Sequence, residues 1–391
     1  MLRWLTAGES HGPALIGIIE GVPSGLRLEV EHIDRYLARR QKGYGRGARM
    51  SIERDRVEIL SGVRHGMTLG SPIALIIRNL DWENWREKMS PSPVPGSDNC
   101  SKGDCSIFRP RPGHADLAGS LKYNQPDIRN ILERSSARST AASVALGSVA
   151  KRLLDELQIG IVSHVISIGG IYVKEGIDPW LHKEAVGNSR LFCADAEAEG
   201  AMIEEIDLAR RKGDTLGGIF ELRVRGLYPG IGSHVQADRR LDAQLAQAIM
   251  GIPAVKGVEV GQGFAVAGLP GSKAHDPIKY NFVHRAYVHT SNNAGGMEGG
   301  MSNGEDLILR AVMKPIPTLM QPLESVDMRD KSSVSAHAER SDVCAVPAAS
   351  VVAQAEVSLV IARALLEKHG GDSMAELQAN YSAYKQIISI R

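Results

Sequence analysis

Apolar residues that alternate with polar ones mark strands, and apolar residues spaced three or four apart mark helices. On this basis residues 1–30 read as strand, glycine-rich turn and strand, with Gly8-Glu9-Ser10-His11-Gly12 at the turn and an apolar run from Ala14 to Ile19 after it. Glu31 to Gln41 carries Ile33 and Leu37 on one helical face. Arg56–Val63 alternates and Pro72–Ile77 is almost continuously apolar, so both are expected as strands. Ile161–Val173, the alternating Phe220, Leu222 and Val224, Val255–Ala267 and Leu307–Met313 are strand-like in the same way. Helices are expected over about Ser136–Leu157, Asp238–Met250 and Val346–Lys368, the last with Pro347 at its start and Gly370-Gly371 beyond its end. Strands and helices interleave without a regular βαβ period, which predicts an α+β fold.

Two stretches resist this reading. Residues 81–108 hold Trp82, Trp85, several prolines and two cysteines, and a long irregular insert of this kind is usually functional. Residues 176–200 vary in character, with acidic residues near Asp195. Ala, Ser and Gly dominate one side of the Ser136–Leu157 helix, which predicts close packing in a crowded interior.

Composition narrows the function classes. The 391-residue chain is 43% hydrophobic and 23% charged with a net charge of +1, the profile of a globular protein rather than a general nucleic-acid or membrane binder. Four cysteines, Cys100, Cys105, Cys193 and Cys344, form no C-x-x-C pair or zinc spacing. Free thiols are expected, with a Cys100–Cys105 link as the lesser alternative. The start Met1-Leu2-Arg3-Trp4-Leu5 does not look like a signal peptide, and no apolar run of the ~18 residues needed to span a membrane is expected. A cytoplasmic protein without a metal is expected.

Candidate chemistry collects on turns. Arg109-Pro110-Arg111-Pro112-Gly113-His114-Ala115-Asp116 sets a histidine on a stiff turn between arginines and an aspartate. Glu133-Arg134-Ser135-Ser136-Ala137-Arg138 leads into a helix, where hydroxyls cap and free N–H groups bind anions. His11 lies on a second glycine turn, and histidine is the side chain best suited to moving protons near neutral pH. His65, His164, His234 and His284 lack such a setting and are read as structural. Arg40, Arg46, Arg49, Arg109, Arg111, Arg134, Arg138 and Arg340 all border glycine-rich or turn segments. Converging, they would form a pocket for a small polyanion. Asp342, in Arg340-Ser341-Asp342, reads first as a helix cap and second as a general base. Walker, G-x-S-x-G and H-E-x-x-H motifs are missing.

Together, these stretches resemble the chorismate synthase family. The resemblance rests on Gly8–Gly12, Arg39–Arg46, Arg111–Asp116, Glu133–Arg138, Ala254–Glu259, Gly299–Ser302 and Arg340–Asp342, in the family's order along most of the chain. It implies a β-α-β sandwich with internal pseudo-symmetry, neither Rossmann nor flavodoxin-like, as one domain over 1–391 with variable loops near 81–108 and 174–200. The implied activity is a carbon–oxygen lyase of the shikimate pathway. It removes phosphate from 5-enolpyruvylshikimate 3-phosphate by 1,4-anti elimination, giving chorismate with reduced FMN and no net redox change.

By motif position, the resemblance puts His114 near flavin N1 and His11 at the departing phosphate. Asp342 is placed on the path of the ring proton via flavin N5, and Ser10 and Ser136 in proton relays. Arg134, Ser135, Ser136, Pro253, Ala254, Gly299, Lys314, Pro315, Ile316, Pro317, Thr318 and Arg340 map to flavin contacts. Arg40 and Arg46 map to positions assigned to NADPH, the candidate reductant, although they suit substrate equally. Arg49, Arg111 and Arg138 are further substrate candidates. A homotetramer and an external flavin reductase are the implied partners, with no nucleic acid and no membrane. The competing classes are a flavin or phosphometabolite binder without catalysis, and an RNA binder using the basic loops.

Overall fold

The computed structural model describes residues 1–47, 54–93, 106–283, 286–339 and 341–390. Two antiparallel sheets form its frame. In the first, β1 (Arg3–Ala7), β2 (Ala14–Glu20), β3 (Val57–Ile59) and β4 (Ile73–Arg78) are ordered β1-β2-β4-β3. In the second, β5 (Gly160–Ile168), β6 (Ile171–Tyr172), β7 (Gly218–Arg225), β8 (Val255–Val260) and β9 (Leu307–Met313) are ordered β8-β9-β7-β5-β6. Helices α1 (Val30–Gln41) and α2 (Thr140–Glu156) pack with the first sheet, and α3 (Leu241–Met250) and α4 (Val346–His369) with the second. The longest helix contact joins α2 to α4.

The inward residues of each strand and the helices share one continuous core. Helix α4 is buried on every side, as an all-round apolar helix must be. By length and composition it would cross a membrane, contrary to the sequence expectation, but 89% of its apolar window is buried inside the protein. The small residues of α2 serve the close packing expected of them. A Cβ on Gly147 would lie 2.4 Å from the Cβ of Ala355 on α4, and one on Gly17 of β2 would lie 2.9 Å from Leu146. Gly147→Val is therefore expected to destabilise the fold by about 1–3 kcal/mol, the usual cost of overpacking. Chemical denaturation checks this; an unchanged midpoint would mean that the two helices can move apart freely.

Several boundaries differ from the sequence reading. The Arg56–Val63 strand ends at Ile59, because the chain then turns through Gly62 in a left-handed conformation (φ +80°) against Ile73. Val255–Ala267 is strand only to Val260: Gly261 lies against the backbone of Asn293 to Gly295, and a 3₁₀ segment follows at Gly263–Gly268. The expected Ser136–Leu157 helix starts with a 3₁₀ turn at Ala137–Ser139. Helices at Ala196–Arg211 and Met374–Ile390 were not anticipated. Asp195 caps the first of them, accepting from the N–H groups of Glu197 and Ala198.

Within the 81–108 insert, Trp82–Trp85 is a single helical turn, and Cys100 and Cys105 lie outside the described residues. Cys193 and Cys344 are buried free thiols, pushed up to about 11 and about 12 by burial, and so inert. His164 is structural as read: it is buried and bonded to Glu221, which Arg223 and Arg310 also hold.

Candidate active site

A cleft of about 550 Å³ is lined by the last turn of α1 and the first turns of α2 and α4. Its size falls in the range of small-molecule sites. Its floor is apolar, built from Leu132, Ile252 and the first turns of α4 at Ala345, Ala348, Ala349 and Val352. Its walls are cationic. Arg40, Arg46, Arg111, Arg138 and Lys314 line the cleft together with Glu339 and Asp342 among the described residues.

His11 sits on the β1–β2 turn. Gly8 permits that turn, since it has φ +108° and a Cβ there would meet the Ala14 carbonyl at 2.4 Å. The helix Arg129–Ser135 locks the turn from behind: Ser10 N–H donates to the Glu133 carbonyl at 3.0 Å, and His11 N–H to the Glu133 carboxylate at 2.9 Å. The imidazole Nδ1 also lies 2.9 Å from that carboxylate.

His114 lines the same cleft. Gly113 turns the chain at φ +79°, and Lys314 Nζ donates to its carbonyl. His114 Nδ1 bonds Asp116, which also accepts from Arg111 Nε at 2.8 Å. Burial opposes ionisation of Asp116, but His114 and Arg111 outweigh it and hold the carboxyl far below its usual range. Arg111 Nη1 reaches Thr318 at 3.0 Å, so this arginine ties the His114 turn to the segment after β9. Across from it, Glu339 is lowered to about 2, chiefly by its bond to His337, with burial opposing and Arg111 helping.

A third group is buried beneath the cleft. Asp55 lies between two guanidiniums, 3.3 Å from Arg40 Nη1 and 2.5 Å from Arg138 Nη1. Arg40 comes from the last turn of α1 and also donates to Thr140 Oγ1 at 3.0 Å, at the start of α2. Ser136 caps the intervening 3₁₀ turn by accepting from the Arg138 N–H.

Asp342 corrects the cap reading. The N-cap position of α4 is Ala345, with no side-chain bond, and the Asp342 carboxylate turns away to the cleft. There it accepts from Gly47 N–H at 2.6 Å and pairs with Arg46 at 3.1 Å. Ala254 is held at φ +68°, unusual for a residue with a Cβ, where the chain passes the cleft after Pro253.

Most sequence candidates converge here. Ser10, His11, Arg40, Arg46, Arg111, His114, Ser135, Ser136, Arg138, Pro253, Ala254, Lys314, Ile316, Pro317, Thr318 and Asp342 all line the cleft. Arg134, Pro315 and Gly299 do not. Arg134 is exposed and donates to the Thr6 and Gly8 carbonyls, and Gly299 lies exposed on the hairpin of Met297–Glu298 and Met301–Ser302. Arg49 and Arg340 fall outside the described residues. Sequence reasoning assigned no role to Asp55, Asp116, Glu133 or Glu339. Asp116 and Glu133 stood inside the quoted motifs, while nothing local marks Asp55, whose partners lie 15 and 83 positions away.

Comparison with known proteins agrees with this geometry. The chorismate synthase family profile matches residues 2–366. The chorismate synthase of Moorella thermoacetica is 57% identical over 388 residues, covering 99% of both chains. That of Desulforudis audaxviator is 55% identical over 389 residues, 99% of this chain and 98% of its own. A chorismate synthase crystal structure superposes with a TM-score of 0.80 at 42% identity, covering 100% of this chain and 99% of the other. With most of the matching motifs contributing to one cationic cleft, and relatives aligned end to end, the chain belongs to the chorismate synthase family.

Proposed function

We propose that the cleft binds 5-enolpyruvylshikimate 3-phosphate against reduced FMN and eliminates phosphate with the two histidines and Asp342 placed around the reacting groups. As a chorismate synthase the chain is a carbon–oxygen lyase acting at the end of the shikimate pathway. The observation that carries the site assignment is the pair of histidines, each backed by a buried carboxylate, lining one cleft together with five cations among the described residues.

The residues present suit a flavin phosphate. The apolar floor offers a surface for a ring system, and Lys314 and the arginines offer charge for a phosphate. When bound, reduced FMN supplies the electron density that eases departure of the phosphate. The chain's own groups do the rest. Arg40 and Arg138, fixed by Asp55, and Arg46, fixed by Asp342, hold the substrate's anionic groups. His11 carries a proton toward the departing phosphate. His114, fixed through Nδ1 by Asp116, holds one toward the flavin. Asp342 receives the proton lost from the ring. Ser10 and Ser136 line the same space and complete the relays. Arg40 lies at the buried base of the cleft, which supports a grip on substrate over an exposed NADPH site.

The layers support the β-α-β sandwich with pseudo-symmetric halves, each a sheet with its own helix pair, as one domain. We also infer a cytoplasmic homotetramer that takes reducing power from an external reductase. Supporting association, apolar side chains face outward at Leu5, Ile16 and Ile18 on the first sheet, and at Tyr280, Phe282 and Tyr287 on the Ile278–His289 hairpin.

Anaerobic turnover tests the reading. Photoreduced FMN with substrate is expected to release phosphate without NADPH. FMN is also expected to bind more tightly once substrate is present, because both anions share one cleft. Phosphate release that strictly requires NADPH, or flavin affinity indifferent to substrate, would count against it.

A further inference from the structure

Three side chains, Glu133, Arg129 and Trp85, form a closed ring of contacts with His11. The Glu133 carboxylate accepts from His11 N–H and lies 2.9 Å from Nδ1 through both oxygens. Arg129 holds one of those oxygens at 3.1 Å and lies over the Trp85 indole, 5.3 Å from its centroid. Trp85 stacks on the His11 imidazole, with centroids 3.7 Å apart and planes 25° from parallel. The indole is itself anchored, since its N–H donates to Asp81 at 2.8 Å. Among the described residues, further charges near the ring are Lys88, over the Trp85 face, and Glu339, which also lines the cleft.

These contacts leave His11 little choice. An ionised carboxylate only accepts hydrogen bonds. Burial opposes ionisation of Glu133, but the bonds and charge of His11, with Arg129, hold its carboxyl below the usual range. The hydrogen between the two therefore sits on Nδ1, and Nε2 is the nitrogen left for the cleft. Stacking fixes the plane of the imidazole, and the carboxylate fixes its rotation within that plane.

We propose that Glu133 and Trp85 are positioning residues of His11: the carboxylate keeps a hydrogen on Nδ1, the indole holds the ring plane, and Nε2 is the nitrogen that takes up a proton and passes it to the departing phosphate, leaving the neutral Nδ1–H ring. Both act through His11, and the inference rests on His11 serving the leaving group. It also gives the 81–108 insert a part in the reaction, since Trp85 is supplied by that segment.

Glu133→Gln tests the carboxylate. An amide can meet Nδ1 as donor or acceptor, so the tautomer preference is lost while the shape is kept. The expected result is a fall in kcat of about 10–100-fold, the usual scale for a group that orients another, with KM little changed. In 15N-histidine-labelled protein, His11 (assigned from the signals missing in His11→Ala) should show Nδ1–H in the parent and gain the Nε2–H form in the variant. In a His11→Ala background the same change should cost nothing further, and Glu133→Asp should recover part of the loss and keep the Nδ1–H form. Trp85→Leu should lower kcat more than Trp85→Phe, which keeps a stacking ring. Equal losses from Glu133→Gln in both backgrounds, or an unchanged tautomer beside lost turnover, would overturn the proposal and leave Glu133 a purely structural residue. If Glu133→Gln does not fold, Glu133→Asp should still lower kcat in the parent but not in the His11→Ala background, and the Trp85 pair still tests the ring plane. Near-normal turnover of His11→Ala would instead remove the assignment of His11 to the leaving group, and the tautomer spectrum would still report whether Glu133 orients the ring.

Discussion

Replacing His11 with alanine is expected to lower turnover by roughly 10²–10⁴-fold, the contribution of a positioned general acid. The same range is expected for His114→Ala, but the two variants should fail differently. His11 is buried, and its loss strips Glu133 of its imidazole partner, leaving Arg129 and the backbone N–H of residue 11 on that carboxylate. Some stability should therefore be lost along with activity, although the residue sits on a glycine turn. His114 is half-buried, and Asp116 keeps its bonds to Arg111 when the imidazole is removed, so the His114 variant should melt close to the parent. Single-turnover phosphate release separates the chemical roles. Loss of His114 should perturb the absorbance of bound reduced FMN, whereas loss of His11 should slow phosphate release and leave that spectrum nearly intact. Near-parental turnover in either variant would make that histidine structural and require a different proton path.

The second large effect is expected at Asp55. Its carboxylate is the shared partner of two buried guanidiniums, and Asp55→Ala leaves Arg40 and Arg138 facing each other with that charge removed. Removing one partner from a buried ion pair typically costs about 3–5 kcal/mol. The loss should be conditional on ligand. A phosphorylated substrate returns negative charge to the same arginines, so substrate should raise the melting temperature of the variant more than that of the parent, by linkage. Thermal denaturation with and without substrate checks both halves. A variant that melts normally, or that gains no more from substrate than the parent does, would show that the arginines are held by their other contacts.

The periodic elements were legible because burial imposes a period. β9, α1 and α4 lie within a residue of where the apolar spacing put them. The turn-borne candidates were legible for another reason: His11 precedes Gly12-Pro13 and His114 follows Pro112-Gly113, and a histidine beside such a pair does not sit on an ordinary helix face. What escaped was decided by partners distant in sequence. Asp342 looked like a cap because it precedes a helix, yet its carboxylate goes to Gly47 and Arg46. Arg134 looked like a ligand contact beside Ser135 and Ser136, yet the helix turns it outward to Thr6 and Gly8. Val255–Ala267 kept its apolar character past Val260, where the close approach of Gly261 to another segment ended the strand.

The bond between Gly47 and Asp342 spans 295 residues, and the one between Ser10 and Glu133 spans 123. No short portion of the chain contains a wall, a floor and both histidines. Contacts of such separation are slow to form, because loop closure costs entropy before they stabilise anything. The cleft should therefore be among the last features to appear during refolding. Recovery of ligand binding should lag behind recovery of helical signal, and an intermediate with most of its secondary structure should have no affinity for the substrate.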